Sequence, residues 1–269
     1  MKNMEKTINQ RIADTGIFVF SYNPQTQLFT YSRPFTVEEA KLVADETNQV
    51  IASQYGNTNG LRGGLQARNN ELINMNTLKG ILANRALMRR TNNHQWLPTI
   101  KEGIQLQAQG LFSFGVLIDF GLALYDNKNP DEEIAQVLSM TAKEKGYAAP
   151  VLASFKSLDL AEGGKRYGVT PQIVSVDGLT FWDEAKELLD KNSFYKGNSG
   201  VRGLYRHWGG AWDALWYDGL DLFGDGCRVG RFSAEGSAKK LEEEALGTFA
   251  PIRQSLDSVL NLTHYSQGH

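Results

Sequence analysis

Apolar and polar positions along the chain switch between period two and helical spacing, and the switches lay out a series of short elements. Residues 16–35, GIFVFSYNPQTQLFTYSRPF, alternate on either side of Asn23-Pro24, which predicts a β-hairpin. Thr36 and Glu39 then form a T-x-x-E capping box ahead of an amphipathic helix, VEEAKLVADETNQVIASQ. Residues 56–64, GNTNGLRGG, have the composition of a loop. Leu72, Met75, Leu78, Leu82 and Ala86 recur at helix spacing, so residues 65–90 are expected to be helical, ending at Arg89 and Arg90. A domain boundary is expected near residues 91–95.

Beyond it, LPTIKEGIQLQAQG predicts a short helix and LFSFGVLIDFGLALYD an apolar strand pair or bent strand. Asn129-Pro130 followed by Asp131, Glu132 and Glu133 is a helix start, and that helix should run to about Lys145 and stop at Gly146. PVLASFKSL and TPQIVSVDG read as strands around the loop AEGGKRYG. Thr180 and Asp183 open a further helix, FWDEAKELLDK. Near the end, Ser237 caps AKKLEEEALGTF, which is interrupted by Pro251 and resumes to about Leu260. The pattern is α+β, without internal repeats.

One stretch fits neither periodicity cleanly. Residues 203–237 read GLYRHWGGAWDALWYDGLDLFGDGCRVGRFSAEGS and hold three of the five tryptophans and the lone cysteine. Trp208, Trp212 and Trp216 are spaced by four, and a helix would place them on one face beside Leu215 and Leu220. Gly209, Gly210, Gly219, Gly224 and Gly226 oppose that, each costing a helix interior about 1 kcal/mol relative to Ala. As a strand, Trp212, Ala214 and Trp216 share one uniformly apolar side. Ala211, Asp213, Leu215 and Tyr217 take the other, which has no common chemistry. Stability accounts for the first side and not the second, as in a scaffold whose exposed residues are free to vary.

Composition narrows the classes. A net charge of −2 gives no general attraction to nucleic acid or anionic membranes. One cysteine rules out an intrachain disulfide and a thiolate-rich zinc site. The opening MKNMEKTINQRIADTG lacks the apolar stretch of a secretory signal, and no window approaches the roughly 18–20 apolar residues of a membrane span. The expectation is a soluble protein made in the cytoplasm without a signal peptide, neither binding nucleic acid nor inserting into membranes.

The pattern G-x-x-x-L-Y-R, W-x-A-x-W, L-D and G-x-G-x-R-V-x-R-F-S-A-E-G-S resembles the variable region of proteins diversified by diversity-generating retroelements, which commonly carry a C-type lectin fold of the formylglycine-generating-enzyme-like kind. Upstream stretches GVLIDFGLALYDNKNPDEEIA, KEKGYAAPVLASFKSLDL and GKRYGVTPQIVSVDGLT resemble the front of that domain in phage-borne members, so the likeness spans roughly residues 95–237. In that family, adenine-directed mutagenesis turns AAC codons into NNC, which cannot encode Lys, Glu, Gln, Met or Trp. From Ser199 to Phe232 the chain has no Lys, Glu, Gln or Met.

The resemblance implies a scaffold of Gly203, Leu204, Tyr205, Arg206, Trp212, Ala214, Trp216, Leu220, Gly226, Arg228, Val229, Arg231 and Phe232. It implies exposed, diversified, ligand-contacting positions at His207, Gly209, Ala211, Asp213, Leu215, Tyr217, Asp218, Asp221, Phe223, Asp225 and Cys227. Gly219, Leu222 and Gly224 fall in either group, and Trp208 departs from the codon rule. The implied organisation is an N-terminal α+β attachment or oligomerisation module at 1–90, a lectin-fold domain at 91–237 with its variable region at about 199–232, and a C-terminal helix at 238–269. The implied function is non-catalytic recognition of a cell-surface protein or glycan by a phage tail protein or adhesin. It would be located in the virion or, alternatively, the cytoplasm, as a homo-oligomer with trimers by analogy.

No cofactor is implied. Asp213, Asp218, Asp221 and Asp225 raise calcium binding, but the Glu-Pro-Asn and Gln-Pro-Asp triplets of sugar-binding lectins are missing. His94, His207, His264 and His269 form no metal-spaced set. An enzyme of the formylglycine-generating kind would use a cysteine pair, which Cys227 alone cannot supply. A structural virion or assembly protein is the other alternative.

Overall fold

A computed structural model of the 269-residue chain describes residues 16–56, 58–112, 117–125, 132–181, 183, 184, 187, 195, 196, 200–207, 210–214, 220, 221 and 227–248. The strands are β1 (Phe18–Asn23), β2 (Leu28–Pro34), β3 (Gln66–Arg68), β4 (Glu71–Ile73), β5 (Gln95–Trp96), β6 (Leu117–Leu124), β7 (Val151–Ser154), β8 (Leu158–Glu162), β9 (Val169–Ile173), β10 (Leu179–Phe181), β11 (Tyr195–Lys196), β12 (Val201–Arg206), β13 (Trp212–Ala214), β14 (Cys227–Val229) and β15 (Arg231–Ser237). The helices are α1 (Val37–Val50), α2 (Thr77–Arg90), α3 (Ile100–Ala108), α4 (Glu132–Glu144) and α5 (Ala238–Thr248). The protein is mixed α+β. No helix among the described residues is long and apolar enough to cross a membrane.

The chain divides into two compact units, Met1–Pro34 with Phe232–His269, and Phe35–Arg231. In the first, β1 and β2 form the hairpin expected from the alternation, with Phe18 opposite Ser32 and Asn23 opposite Leu28. Asn23 Oδ1 accepts from the Gln25 and Thr26 N–H groups, the side-chain-to-backbone bonding that makes Asn a turn residue. Strand β15 lies beside β2. Ser32 Oγ donates to Phe232 O at 2.8 Å, and the Arg33 guanidinium sits 4.4 Å over the Phe232 ring while pairing with Glu244 of α5. Ser237 caps α5 through Lys240 N–H, as expected.

The second unit is organised on β6, in which seven of the eight residues are buried. Strand β12 runs antiparallel along one of its sides; on the other, β14 pairs parallel with its start and β7 antiparallel with its end. The order is β11-β13-β12-β6-β14-β4-β3, with β10 outside β7. Both halves of the Thr36–Glu39 capping box start α1, and an equivalent Thr99–Glu102 box starts α3. Helix α2 is capped by Asn76 and buries ten of its residues.

Four expectations are corrected. Residues 65–76 are not helical: β3 and β4 form a hairpin around Asn69 and Asn70, with Arg68 opposite Glu71 and Asn69 left-handed at φ 54°. Asparagine tolerates that conformation, and the spacing of Leu72, Met75 and Leu78 matched a helix only by coincidence. PVLASFKSL is not one strand but β7, a 3-10 turn over Phe155–Ser157 and the start of β8. No boundary falls near residue 91, because β4 pairs with β14 and so binds the 35–90 region into the same unit. Helix α5 likewise shares a unit with β1 and β2 rather than forming a separate tail. The Asn129-Pro130 start, most of FWDEAKELLDK and the continuation past Pro251 lie outside the described residues.

Gly121 lies mid-β6 at φ 129°, where a Cβ would come 2.2 Å from the Ala153 carbonyl oxygen of β7. Backbone cannot yield there as a side chain would. Gly121→Ala is expected to cost about 3 kcal/mol from strain and overpacking together, read as a lowered denaturation midpoint.

Candidate functional site

The glycine- and tryptophan-rich segment is strand and turn where it is described, not helical. Strand β12 carries Val201–Arg206 fully into the core, and β13 returns beside it with Tyr205 opposite Asp213 and Arg206 opposite Trp212. Between them His207 N–H donates to Ala211 O at 2.7 Å, and Gly210 N–H donates to His207 O at 2.9 Å, closing a β-turn. Gly210 is left-handed at φ 89°, so this position is held to glycine by its backbone.

Trp212 and Ala214 are fully buried, as period two requires. The Trp212 ring packs 4.7 Å from Phe120 of β6, which in turn meets Phe112 edge-on at 5.7 Å. The indole N–H donates to Gln107 Oε1 at 2.9 Å, and Arg206 Nε donates to the same oxygen at 3.1 Å. The amide nitrogen of Gln107 donates to Gly210 O at 2.7 Å. One side chain on the last turn of α3 therefore satisfies two buried donors and holds the turn. Burial lowers the pKa of Arg206, whose guanidinium also lies 5.4 Å over the Phe112 ring.

Further along, the segment is gripped at its backbone. Tyr125 Oη donates to Ala214 O at 3.2 Å, and Leu220 N–H donates to Tyr167 Oη at 3.2 Å. Asn76 Nδ2 reaches Asp221 O at 3.5 Å and Gly60 O at 2.9 Å, and Met75 N–H donates to Cys227 O at 3.3 Å. Beneath β12 lies a buried polar cluster. Thr77 Oγ1 donates to Asp119 Oδ2 at 3.2 Å and is 3.4 Å from Tyr205 Oη, while Asp119 Oδ1 accepts from Gly121 N–H at 3.0 Å. The Tyr205 ring folds over Gly203, where a Cβ would meet it at 2.4 Å.

Of the scaffold residues, Gly203, Leu204, Tyr205, Arg206, Trp212, Ala214, Leu220, Val229, Arg231 and Phe232 are buried. Burial lowers the Arg231 pKa to about 10. Arg228 is half-buried and pairs with Glu71 at 3.2 Å. Of the expected variable residues, His207, Ala211 and Asp221 are half-buried. Asp213 lies in β13, but its side chain is outside the described set, as are Gly209, Leu215, Tyr217, Asp218, Phe223 and Asp225, and Trp208, Trp216 and Gly226 of the remainder.

Cys227 is a correction. It is buried, with 2 % exposure, not exposed. β14 is inserted between β6 and β4, so both edges are occupied, and 227 shares its side with buried Val229 while Arg228 points the other way. Gln107, Tyr125, Tyr167, Asn76, Thr77 and Asp119 were not singled out from the sequence. Only Asp119 carried a signal there, as the lone acid in an apolar run, which implies a buried partner.

Among the described residues no three His, Cys, Asp or Glu side chains gather to hold a metal ion. Comparison with known protein families, curated proteins and solved structures finds no match to the chain.

Two outcomes follow from the burial. Gln107→Ala strands the Trp212 and Arg206 donors, and should destabilise the protein by about 2–3 kcal/mol in denaturant unfolding monitored by tryptophan fluorescence. Lys79 is fully buried, donates to Gly64 O at 3.1 Å, and has its pKa lowered to about 8 by burial, a shift the nearby Cys227 opposes. The unfolded chain then holds the extra proton between the folded value and the ordinary one, so stability should rise as pH climbs from about 8 toward 10. Relative to Lys79→Met, the rise should approach about 1.4 kcal/mol per pH unit, measured by unfolding at each pH.

Proposed function

We propose that the chain is a non-catalytic recognition protein with a domain of the C-type lectin type, whose segment 203–232 presents side chains diversified by a retroelement. The observation that carries this reading is how the segment is held. Gln107, Tyr125, Tyr167 and Asn76 grip it at Gly210 O, Ala214 O, Leu220 N–H and Asp221 O, all backbone atoms. A main-chain grip is indifferent to the side chain it passes, so residues between the grips can change without cost to the fold. Buried Trp212, Arg206 and Tyr205 supply the rigidity. Binding loops on a rigid scaffold are the usual solution to recognition.

In this reading His207, Gly209, Ala211, Asp213, Leu215, Tyr217, Asp218, Asp221, Phe223 and Asp225 form the docking face, while Cys227 leaves the set because it is buried. Tyr217 and Phe223 give this variant the aromatic groups that dominate interface hot spots. The partner is a cell-surface protein or glycan, and the protein acts as a phage receptor-binding protein or adhesin, assembled as a homo-oligomer.

Replacing Asp213, Tyr217 and Phe223 together should shift unfolding by no more than about 0.5 kcal/mol, the range of surface substitutions. Trp212→Ala should cost about 3–5 kcal/mol. A triple variant that unfolds would show those residues to be core. Independently, the coding DNA should carry a near-copy repeat beside a reverse-transcriptase gene, differing from it at template adenines.

A further inference from the structure

The larger unit contains a concave site that the gripped segment does not use. It has a volume of about 570 Å³ and lies between the end of α1 with its following π-helical turn Ile51–Tyr55, the last two turns of α2, and the start of β8. Such a volume suits a small ligand. Val50, Leu82 and Leu160 give it an apolar floor, and the Tyr55 hydroxyl donates to Leu160 O, fixing that ring at the wall.

The polar groups come from the end of α2 and the start of β8. Arg85 and Arg89 line the cavity one helical turn apart, and Asn92 and Asn93 follow them. Arg85 Nε donates to Leu158 O and lies 3.4 Å from Asp159, so that carboxylate is already engaged. Arg85 Nη2 is buried with no hydrogen-bond partner among the described residues. Arg89, Asn92 and Asn93 are exposed at the cavity's rim, and their side chains make no hydrogen bond or ion pair among the described residues. Asn92 and Asn93 are both left-handed, at φ 50° and 66°, and both line the cavity.

The helix end accounts for the arginines, which suit its dipole, and for the left-handed asparagines, since Asn93 N–H returns to Met88 O at 2.7 Å to close the last turn; it leaves the buried Arg85 Nη2 without a partner among the described residues. A guanidinium fork matches a carboxylate, and a carboxamide offers a donor and an acceptor to neighbouring hydroxyls. A smaller cavity of about 400 Å³ shares Val50 and Arg89 with the first and adds Gln49, Ser53 and Glu46, whose carboxylate is paired with Arg90, room for a further unit of a chain.

We propose that this cavity is a second binding site, for a carboxylate-bearing sugar unit of an acidic glycan, with Arg85 Nη2 and Arg89 taking the carboxylate and Asn92 and Asn93 the ring hydroxyls. It does not rest on the reading of segment 203–232.

The test is calorimetric titration of the full chain with tetragalacturonate, and with cellotetraose as the neutral counterpart, at low salt. Saturable binding of the uronate alone is expected. Arg89→Gln should weaken it by about tenfold or more, the scale of one charge-assisted contact. Asn93→Asp, which keeps a residue tolerant of the left-handed turn and adds a repelling charge, should do the same. Arg89→Lys should fall between, and the triple change at Asp213, Tyr217 and Phe223 should leave the affinity unaltered. Thermal unfolding of each variant checks that it is folded. The proposal is overturned by no uronate binding, by equal binding of the neutral sugar, by affinities that the Arg89 and Asn93 changes leave untouched, or by inorganic phosphate competing as well as the uronate.

Discussion

The carboxamide of Gln107 is the contact on which the geometry of the tryptophan segment turns. Burying an indole N–H and a guanidinium without partners would cost more than the surrounding packing returns, and one oxygen accepts from both. The same group's nitrogen then fixes Gly210 O, so the requirement of the core and the shape of the turn are met by one side chain. Whatever stands at the turn's tip inherits a backbone already set by residues a hundred positions earlier.

The strand beneath is held by a comparable device. Asp119 would be an expensive charge in the middle of β6 were it not for Thr77 and the Gly121 amide, and Tyr205 joins the group through Thr77. Because Thr77 is the first residue of α2, the helix, the central strand and the start of the segment are locked together at one buried point. Polar networks of this kind specify a single arrangement more sharply than apolar packing, which tolerates exchange.

What could be read from the sequence was local. The Thr36–Glu39 box, the Asn23 turn and the alternation around Trp212 and Ala214 involve residues within a few positions of one another, and each produced its element. Residues 65–76 failed because three apolar side chains fell at helix spacing while the deciding feature was an Asn-Asn pair suited to a tight turn. Gln107 was invisible for another reason: Gln105, Gln107 and Gln109 are equivalent on paper, and only the arrival of β12 and β13 selects the middle one. The misplacement of Cys227 was avoidable, since a strand that hides Val229 hides its second neighbour too. The specificity of the segment is different again, because a main-chain grip leaves no trace in the types of residue it holds.

The placing of β15 beside β2 has a bearing on how the chain is made. Ser32 and Phe232, which bond across it, are 200 positions apart. A ribosome delivering the chain from its amino end exposes the first hairpin long before the strand that completes it exists, and loops of that span close slowly. Throughout that interval the free side of β2 is an open edge, able to pair with the same edge on a neighbouring nascent chain. Translation speed over the message between the two strands thus governs how long each molecule is open to exchanging that strand with another.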